Sequence, residues 1–339
     1  MKQYILTAPY TLIDEDVTVP LPAEGEVLLK ISNFGICGSD IQMYHGLHKY
    51  MTFPVIIGHE VAATVAEVGE GVKGYAVGDQ VTVEPQVYCG ECYSCRSGRF
   101  NVCEKLRVMG VHLSGFAAEY AAVKAKYLHH CGGLDNDQTA LIEPLAVGFG
   151  AVKRAGDVHG KKVLVVGAGT IGNLTAQAAK ALGAKAVMVT DVKQKKLDYA
   201  AQCGIKYCVN TTGRELKDVI LENFGADKAD VIIDCAATRG ALLSILAAAR
   251  PSSKIIITGN YKVPVEIELP VLQRQEISLI GHMMYVREDF ADAINGVKDG
   301  SINLDGFATQ HYPVVQLAEA FKFIDEHPDD YMKVMVTMK

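Results

Sequence analysis

Over roughly the first 145 residues, apolar positions come in short alternating or continuous runs broken by turn formers. Val27-Leu28-Leu29-Lys30-Ile31, Ala62 to Val68 and Gln80-Val81-Thr82-Val83 have the texture of strands. Pro22-Ala23-Glu24-Gly25, Gly69-Glu70-Gly71 and Gly78-Asp79 separate them. Short strands with frequent turns predict a barrel-like β domain. The pattern changes after Pro144. Lys162 to Val166, Ala186 to Thr190, Val231 to Ile233 and Lys254 to Ile257 are nearly continuous apolar strands. Helix-like stretches at Asn173 to Leu182, Leu197 to Gln202 and Gly240 to Arg250 lie between them. Alternation of this kind predicts a parallel sheet covered on both faces. From about Val286 the chain offers two more helices, Asp289 to Lys298 and Leu317 to Glu326, and a final strand at Val334 to Val336.

A chain of 339 residues exceeds the usual single-domain size, in keeping with this change of texture. The expected division is a first domain over 1–147 and 286–339, with a doubly wound domain inserted over 148–285. A net charge of −6 leaves no basic footprint for nucleic acid. The densest basic run, Lys193-Gln194-Lys195-Lys196, reads as a solvated helix start. Met1 to Pro9 lacks the charged start and apolar stretch of a secretion signal, and no apolar run is long enough for a membrane span. Nine cysteines in such a chain predict a reducing cytoplasm, where clustered thiols more often hold metal than pair with one another.

Val163 to Val166 run directly into Gly167-Ala168-Gly169-Thr170-Ile171-Gly172, which opens a helix. Three glycines at this spacing permit a tight turn, close approach of backbone amides to a pyrophosphate, and helix-on-strand packing. The helix start adds unpaired N–H groups and partial positive charge. The next strand ends at Asp191, 19 residues beyond Gly172, where a carboxylate accepts hydrogen bonds from an adenosine ribose and repels a 2′-phosphate. The expected cofactor is therefore NAD, contacted by Gly167, Gly169, Thr170, Ile171, Gly172, Asp191 and Lys196. Lys193, Lys195 and Lys196 are the nearby cations that weigh the other way.

Cys89, Cys92, Cys95 and Cys103 form a C-x₂-C-x₂-C-x₇-C loop. Four thiolates this close can complete a tetrahedral shell around Zn²⁺ and leave no place for substrate. A related spacing also serves [4Fe–4S] clusters, so spacing alone leaves both readings. Three further segments hold metal-ligand residue types: Gly35-Ile36-Cys37-Gly38-Ser39-Asp40, Gly58-His59-Glu60 and Ile142-Glu143-Pro144-Leu145. Taken singly, a lone cysteine or histidine is more often core filler or a satisfied polar residue. One thiolate, one imidazole and one carboxylate together would leave zinc an open position for a substrate oxygen.

On these segments, the four-cysteine loop and the glycine loop, the chain resembles the zinc-containing medium-chain dehydrogenases, and most of all their sorbitol (polyol) branch. The resemblance implies an α/β protein with a β-rich GroES-like barrel catalytic domain and a doubly wound, parallel-sheet Rossmann domain. It implies two zincs per chain, a structural one on Cys89, Cys92, Cys95 and Cys103 and a catalytic one on Cys37 and His59. Glu60 and Glu143 fall at the branch's two carboxylate positions, one binding metal and the other acting through a water. Ser39 matches the hydroxyl that touches the substrate oxygen. Asp40 matches the position that orients the histidine ligand, and a plain helix cap is the bland reading of it. Alcohol dehydrogenases carry cysteine where this chain has Glu143, which points to oxidation of a secondary alcohol in a polyol, sugar or sugar acid. L-threonine or another amino alcohol is the competing substrate, and a catalytically silent binding protein the competing class.

Two positions depart from the pattern. Gln42 stands where many relatives carry a proton-passing histidine, and a carboxamide has no titration near neutral pH. Proton exit is then expected through Ser39, the cofactor ribose and water, or through His45 or His48. Met284 stands where the polyol branch often has arginine, within Gly281 to Tyr285. Tyr44 and Tyr285 are candidate pocket walls. The Gly98 to Cys103 and Val108 to His112 stretches are similar to bacterial members that oxidise hexonates. The family habit also implies a homodimer or homotetramer.

Overall fold

The computed structural model describes residues 1–338 and divides into two compact units. One comprises Met1–Glu143, Val286–Ile294 and Leu304–Lys339, the other Pro144–Tyr285 and Asn295–Asn303. The units change at Glu143/Pro144, where the sequence expectation was 147/148, and at Tyr285/Val286, and residues 295–303 stand apart from the rest of 286–339. Residues 295–303 belong with the inserted unit because the Asn303 amide donates to Gln177 (2.8 Å) and Gly296 packs against Ile302 and Phe149.

The first unit is organised on a seven-stranded sheet. Its central strand, Glu26–Gly35, pairs antiparallel with Glu60–Val68 on one side and with Lys333–Thr337 on the other. Tyr120–Lys124 also pairs with it. Alternation in Val27, Leu29 and Ile31 sends these residues to a core shared with Val61, Ala63, Val65, Val81, Val83 and Phe116. The register sets Gly35 opposite Glu60 and Met335 opposite Gly35. Three segments distant in sequence therefore meet where the central strand ends.

The inserted unit is a six-stranded parallel sheet. In spatial order its strands are Tyr207–Asn210, Ala186–Asp191, Lys162–Val166, Val231–Asp234, Lys254–Ile257 and Ser278–Gly281. Helices Thr170–Ala181, Gln194–Gln202, Leu216–Phe224 and Arg239–Ala248 connect them, and the strands' apolar side chains are buried. Chain direction across the sheet reverses between Lys162–Val166 and Val231–Asp234, the switch point at which such sheets bind ligands beyond the strands' carboxyl ends. The texture change read at Pro144 is not a break: helix Asn136–Arg154 continues through that proline. Among the described residues no helix is long and apolar enough to cross a membrane.

Candidate active site

Helix Gly38–Tyr44 starts at Cys37, whose own side chain accepts from the Asp40 amide. The Cys37 amide donates in return to Asp40 Oδ2 at 2.8 Å, a reciprocal cap that fixes the cysteine. The other Asp40 oxygen lies 3.5 Å from His59 Nδ1 and from the Gly58 amide. Asp40 is thus a helix cap that also stands beside the histidine ring. It is fully buried, as is Glu60, and His59 is buried too. Cys37, His59 and Glu60 offer donor atoms all within 4.8 Å of one another. Among the described residues this is one of two groups with that property, and the Cys89 loop is the other.

The electrostatics of the group favour a cation. Burial works against protonation of His59, but the Asp40 carboxylate and the Cys37 sulfur outweigh it and hold the ring pKa well above 6.5. A thiolate, an imidazole and a carboxylate suit Zn²⁺, so the donor set fits that ion. Glu143 is buried as well and contributes to the electrostatic surroundings of Lys333, but it stands outside the 4.8 Å group.

Sequence reasoning missed Lys333. Its Nζ lies 2.7 Å from both oxygens of Glu60 and 3.3 Å from the Ile36 carbonyl, with the two side chains 4% and 1% exposed. Burial lowers the lysine pKa, yet Glu60, Cys37 and Glu143 more than reverse this and raise it. The clue was a single lysine in the otherwise apolar Met332 to Val336 run. Gly35 is the second missed residue. A Cβ there would come within 2.1 Å of Glu60 Oε2, so the carboxylate occupies the space a side chain would need.

The four sulfurs of the Cys89 loop are close to the ideal for one tetrahedral ion. Cys89–Cys103 is 3.5 Å, and Cys89–Cys95 and Cys92–Cys103 are 3.9 Å. Zn–S bonds of about 2.3 Å in a tetrahedron require sulfurs roughly 3.8 Å apart. Backbone amides of Cys89, Cys92 and Lys105 point at these sulfurs at 3.3–3.4 Å. Amides of Cys95 and Glu104 draw the Cys92 thiol down to about 6, which favours the metal-binding thiolate.

In the inserted unit, Gly167 adopts φ +99° and Gly172 packs so tightly on its carbonyl that a Cβ would lie 1.7 Å away. Gly169, by contrast, faces open space at the helix start. This is the cradle a pyrophosphate requires. Asp191 joins the cradle to the next helix: Oδ2 accepts from the Ala168 amide at 2.6 Å and Oδ1 from the Lys193 amide at 2.9 Å. Thr170 and Ile171 form the helix's first turn, and Lys196 is buried in the following one.

Other expected site residues lie elsewhere. Ser39 is half-buried in the first turn after Cys37. Tyr44 is buried, stacked on Phe321 at 4.3 Å and edge-on to Tyr10. Tyr285 is 1% exposed, one of the largest fully buried side chains, and follows Met284 at φ +51°. Both rings were read as pocket candidates because sequence cannot distinguish a buried aromatic from a lining one. His45 pairs with Asp325 at 2.9 Å, whereas His48 is half-buried with no hydrogen-bond partner at Nδ1.

A metal-fitting cluster on a β-rich unit and a glycine loop on a parallel-sheet unit, carried by one chain, define a metal-dependent dehydrogenase architecture. Comparison with known proteins agrees. Residues 23–133 match the alcohol dehydrogenase GroES-like domain and residues 170–299 match the zinc-binding dehydrogenase domain. The chain belongs to the zinc-type alcohol dehydrogenase family. It is 33% identical to 2-dehydro-3-deoxy-L-galactonate 5-dehydrogenase of Pseudoalteromonas atlantica, covering 98% of this chain and 97% of that one. It is 32% identical to L-galactonate-5-dehydrogenase of Escherichia coli K12, covering 95% and 94%. An alcohol dehydrogenase from Escherichia coli CFT073, solved with NADH, superposes with a TM-score of 0.92 at 31% identity, covering 100% of this chain and 99% of that one.

Proposed function

We propose that this protein oxidises a secondary alcohol of a sugar acid or polyol to a ketone, using NAD and a catalytic zinc. The observation that carries the reading is the group of half-buried Cys37 with buried His59 and Glu60, flanked by Asp40 and Lys333. Zinc, when bound, supplies Lewis acidity toward the alcohol oxygen, and NAD supplies the acceptor for the hydride. The chain's residues do the rest. Cys37 and His59 would hold the metal, with a carboxylate from Glu60 or Glu143. Asp40 fixes the His59 ring through Nδ1 and leaves Nε2 for the metal. Lys333 holds Glu60 in place through both carboxylate oxygens. Ser39 takes the proton of the substrate hydroxyl. With Gln42 unable to titrate, that proton leaves by water or by His48, since His45 is occupied by Asp325.

The second zinc, on Cys89, Cys92, Cys95 and Cys103, ties down a loop with few apolar residues of its own. The Gly167–Gly172 cradle holds the pyrophosphate, and Asp191 takes the adenosine ribose. Both sugar-acid relatives support the substrate class, with galactonate-like acids first among candidates. The nine free thiols support a reducing cytoplasm, and a homodimer or homotetramer is the expected working form.

Metal analysis and an NAD⁺ reduction screen test the reading. Two zincs per chain and turnover of an aldonate or polyol are expected. Zinc-loaded protein inert toward aldonates, polyols and simple secondary alcohols would overturn it, and turnover of L-threonine alone would replace the substrate class. Zinc content of Glu60→Gln and Glu143→Gln identifies the carboxylate ligand, because only loss of the direct one empties the site.

A further inference from the structure

The Val231–Asp234 strand ends on the far side of the switch point from the glycine loop. The chain that follows, Cys235 to Thr238, carries Ala237 in the left-handed region at φ +51°. A residue with a Cβ is disfavoured there and stays only where its surroundings hold it. Those surroundings are specific. Asp234 is fully buried, and its Oδ1 accepts from the amides of Ala236 (3.0 Å) and Ala237 (3.2 Å). The Tyr261 hydroxyl donates to the other oxygen, Oδ2. Tyr261 is carried on the loop after Lys254–Ile257, where the amides of Thr258 and Gly259 bond the Asp234 carbonyl at 3.0 and 2.9 Å. A Cβ on Gly259 would lie 2.7 Å from that of Ala237, and one on Gly167 would lie 2.9 Å from the Ala236 nitrogen. Three loops at the carboxyl ends of neighbouring strands therefore interlock around one carboxylate.

We propose that Tyr261 is a positioning residue for the dinucleotide, acting through Asp234. Its hydroxyl pins Oδ2 and so fixes the carboxylate rotamer. Oδ1 then holds the amides of Ala236 and Ala237 in the left-handed turn that borders the cofactor's place at the switch point. The inference rests on the NAD-dependent reading above. Without the hydroxyl, Asp234 Oδ2 loses its partner, the carboxylate is held only through Oδ1, and the support for Ala237 at positive φ weakens.

The test is Tyr261→Phe in the zinc-loaded enzyme, which keeps the ring and removes only the hydroxyl. NADH affinity is read by fluorescence titration, alongside KM for NAD, kcat and the thermal midpoint. Loss of a hydrogen bond to a charged group predicts NADH binding and KM for NAD weakened roughly fivefold to tenfold, with kcat changed far less. A merely structural tyrosine would lower the midpoint and leave NADH affinity within about twofold, which would overturn the proposal. Glycine adopts positive φ without support, so adding Ala237→Gly to Tyr261→Phe is expected to restore part of the affinity. No restoration would mean that the left-handed turn is not what Tyr261 protects, and the proposal fails. Wild-type protein that bound no NADH would instead overturn the cofactor assignment itself.

Discussion

Lys333→Met replaces a buried ammonium with an apolar chain of similar length and leaves Glu60 without its partner. At an effective dielectric of about 20, charges 2.7 Å apart attract by roughly 6 kcal/mol. Desolvating both ions takes most of that back, so the intact pair contributes little against an apolar pair of the same shape. Removing one partner is another matter. The Glu60 carboxylate, 1% exposed, would remain buried beside the Cys37 sulfur and Glu143 with no cation but the metal. Such a loss costs about 3–5 kcal/mol. In a unit of this size that lowers the thermal midpoint by roughly 6–20 °C. The assay is thermal unfolding of the zinc-loaded protein, with zinc content measured for every variant. Lys333→Arg, which keeps the charge, should lose far less. Glu60→Gln combined with Lys333→Met should be more stable than the sum of the single losses predicts, by on the order of 2 kcal/mol, because neither charge is then stranded. Additive losses, or a Lys333→Met midpoint within about 1 °C of wild type, would refute the argument that Lys333 neutralises this site.

Three further outcomes are expected. Cys92→Ser removes the most acidic thiol of the loop, so metal analysis should find one zinc per chain instead of two, with limited proteolysis cutting near residues 89–103. Asp191→Ala should raise KM for NAD by about ten- to a hundredfold and increase the NADP-to-NAD ratio of kcat/KM, and an unmoved ratio would remove Asp191 from ribose recognition. The His129 contribution to stability should fall as pH drops below about 6.5, because burial outweighs Glu84 and holds its pKa down, so the unfolded chain takes up a proton that the folded ring refuses, whereas His59, with its raised pKa, acts in the opposite sense. Burial lowers His48 and His112 in the same direction. Urea titrations at pH 7.5, 6.5 and 5.5 check the sign, and His129→Gln should flatten the slope over that interval.

Signals that act within a few residues were legible in the sequence. Val163 to Val166 had to be a buried strand, Gly167 to Gly172 a phosphate-type turn, and the Cys89–Cys103 spacing a metal loop, because each depends on local geometry. Gln80–Val83 and Leu317–Glu326 were readable to the residue from periodicity. What escaped was pairing through space. Lys333 and Glu60 are 273 positions apart and meet only because Lys333–Thr337 and Glu60–Val68 flank the same central strand. Tyr44 and Tyr285 were candidates only, because an aromatic residue gives no sequence sign of whether its ring is packed or exposed, and both rings are buried. Residues 295–303 changed units on the strength of one amide contact and a glycine packing face that periodicity does not encode.

The helix that begins at Cys37 is only seven residues long, too short to persist by itself. Its first turn closes only when Asp40 accepts the Cys37 amide, and the same carboxylate lies against Gly58 and His59. Ordering of this one side chain therefore orders two donors from separate segments in a single step. The entropic cost of bringing them together falls during folding and not on arrival of the ion. Metal lost from the site would leave an assembled socket behind. Reloading should accordingly follow simple bimolecular kinetics with no slow conformational phase, unlike the four-cysteine loop, where ion capture and chain ordering are one event.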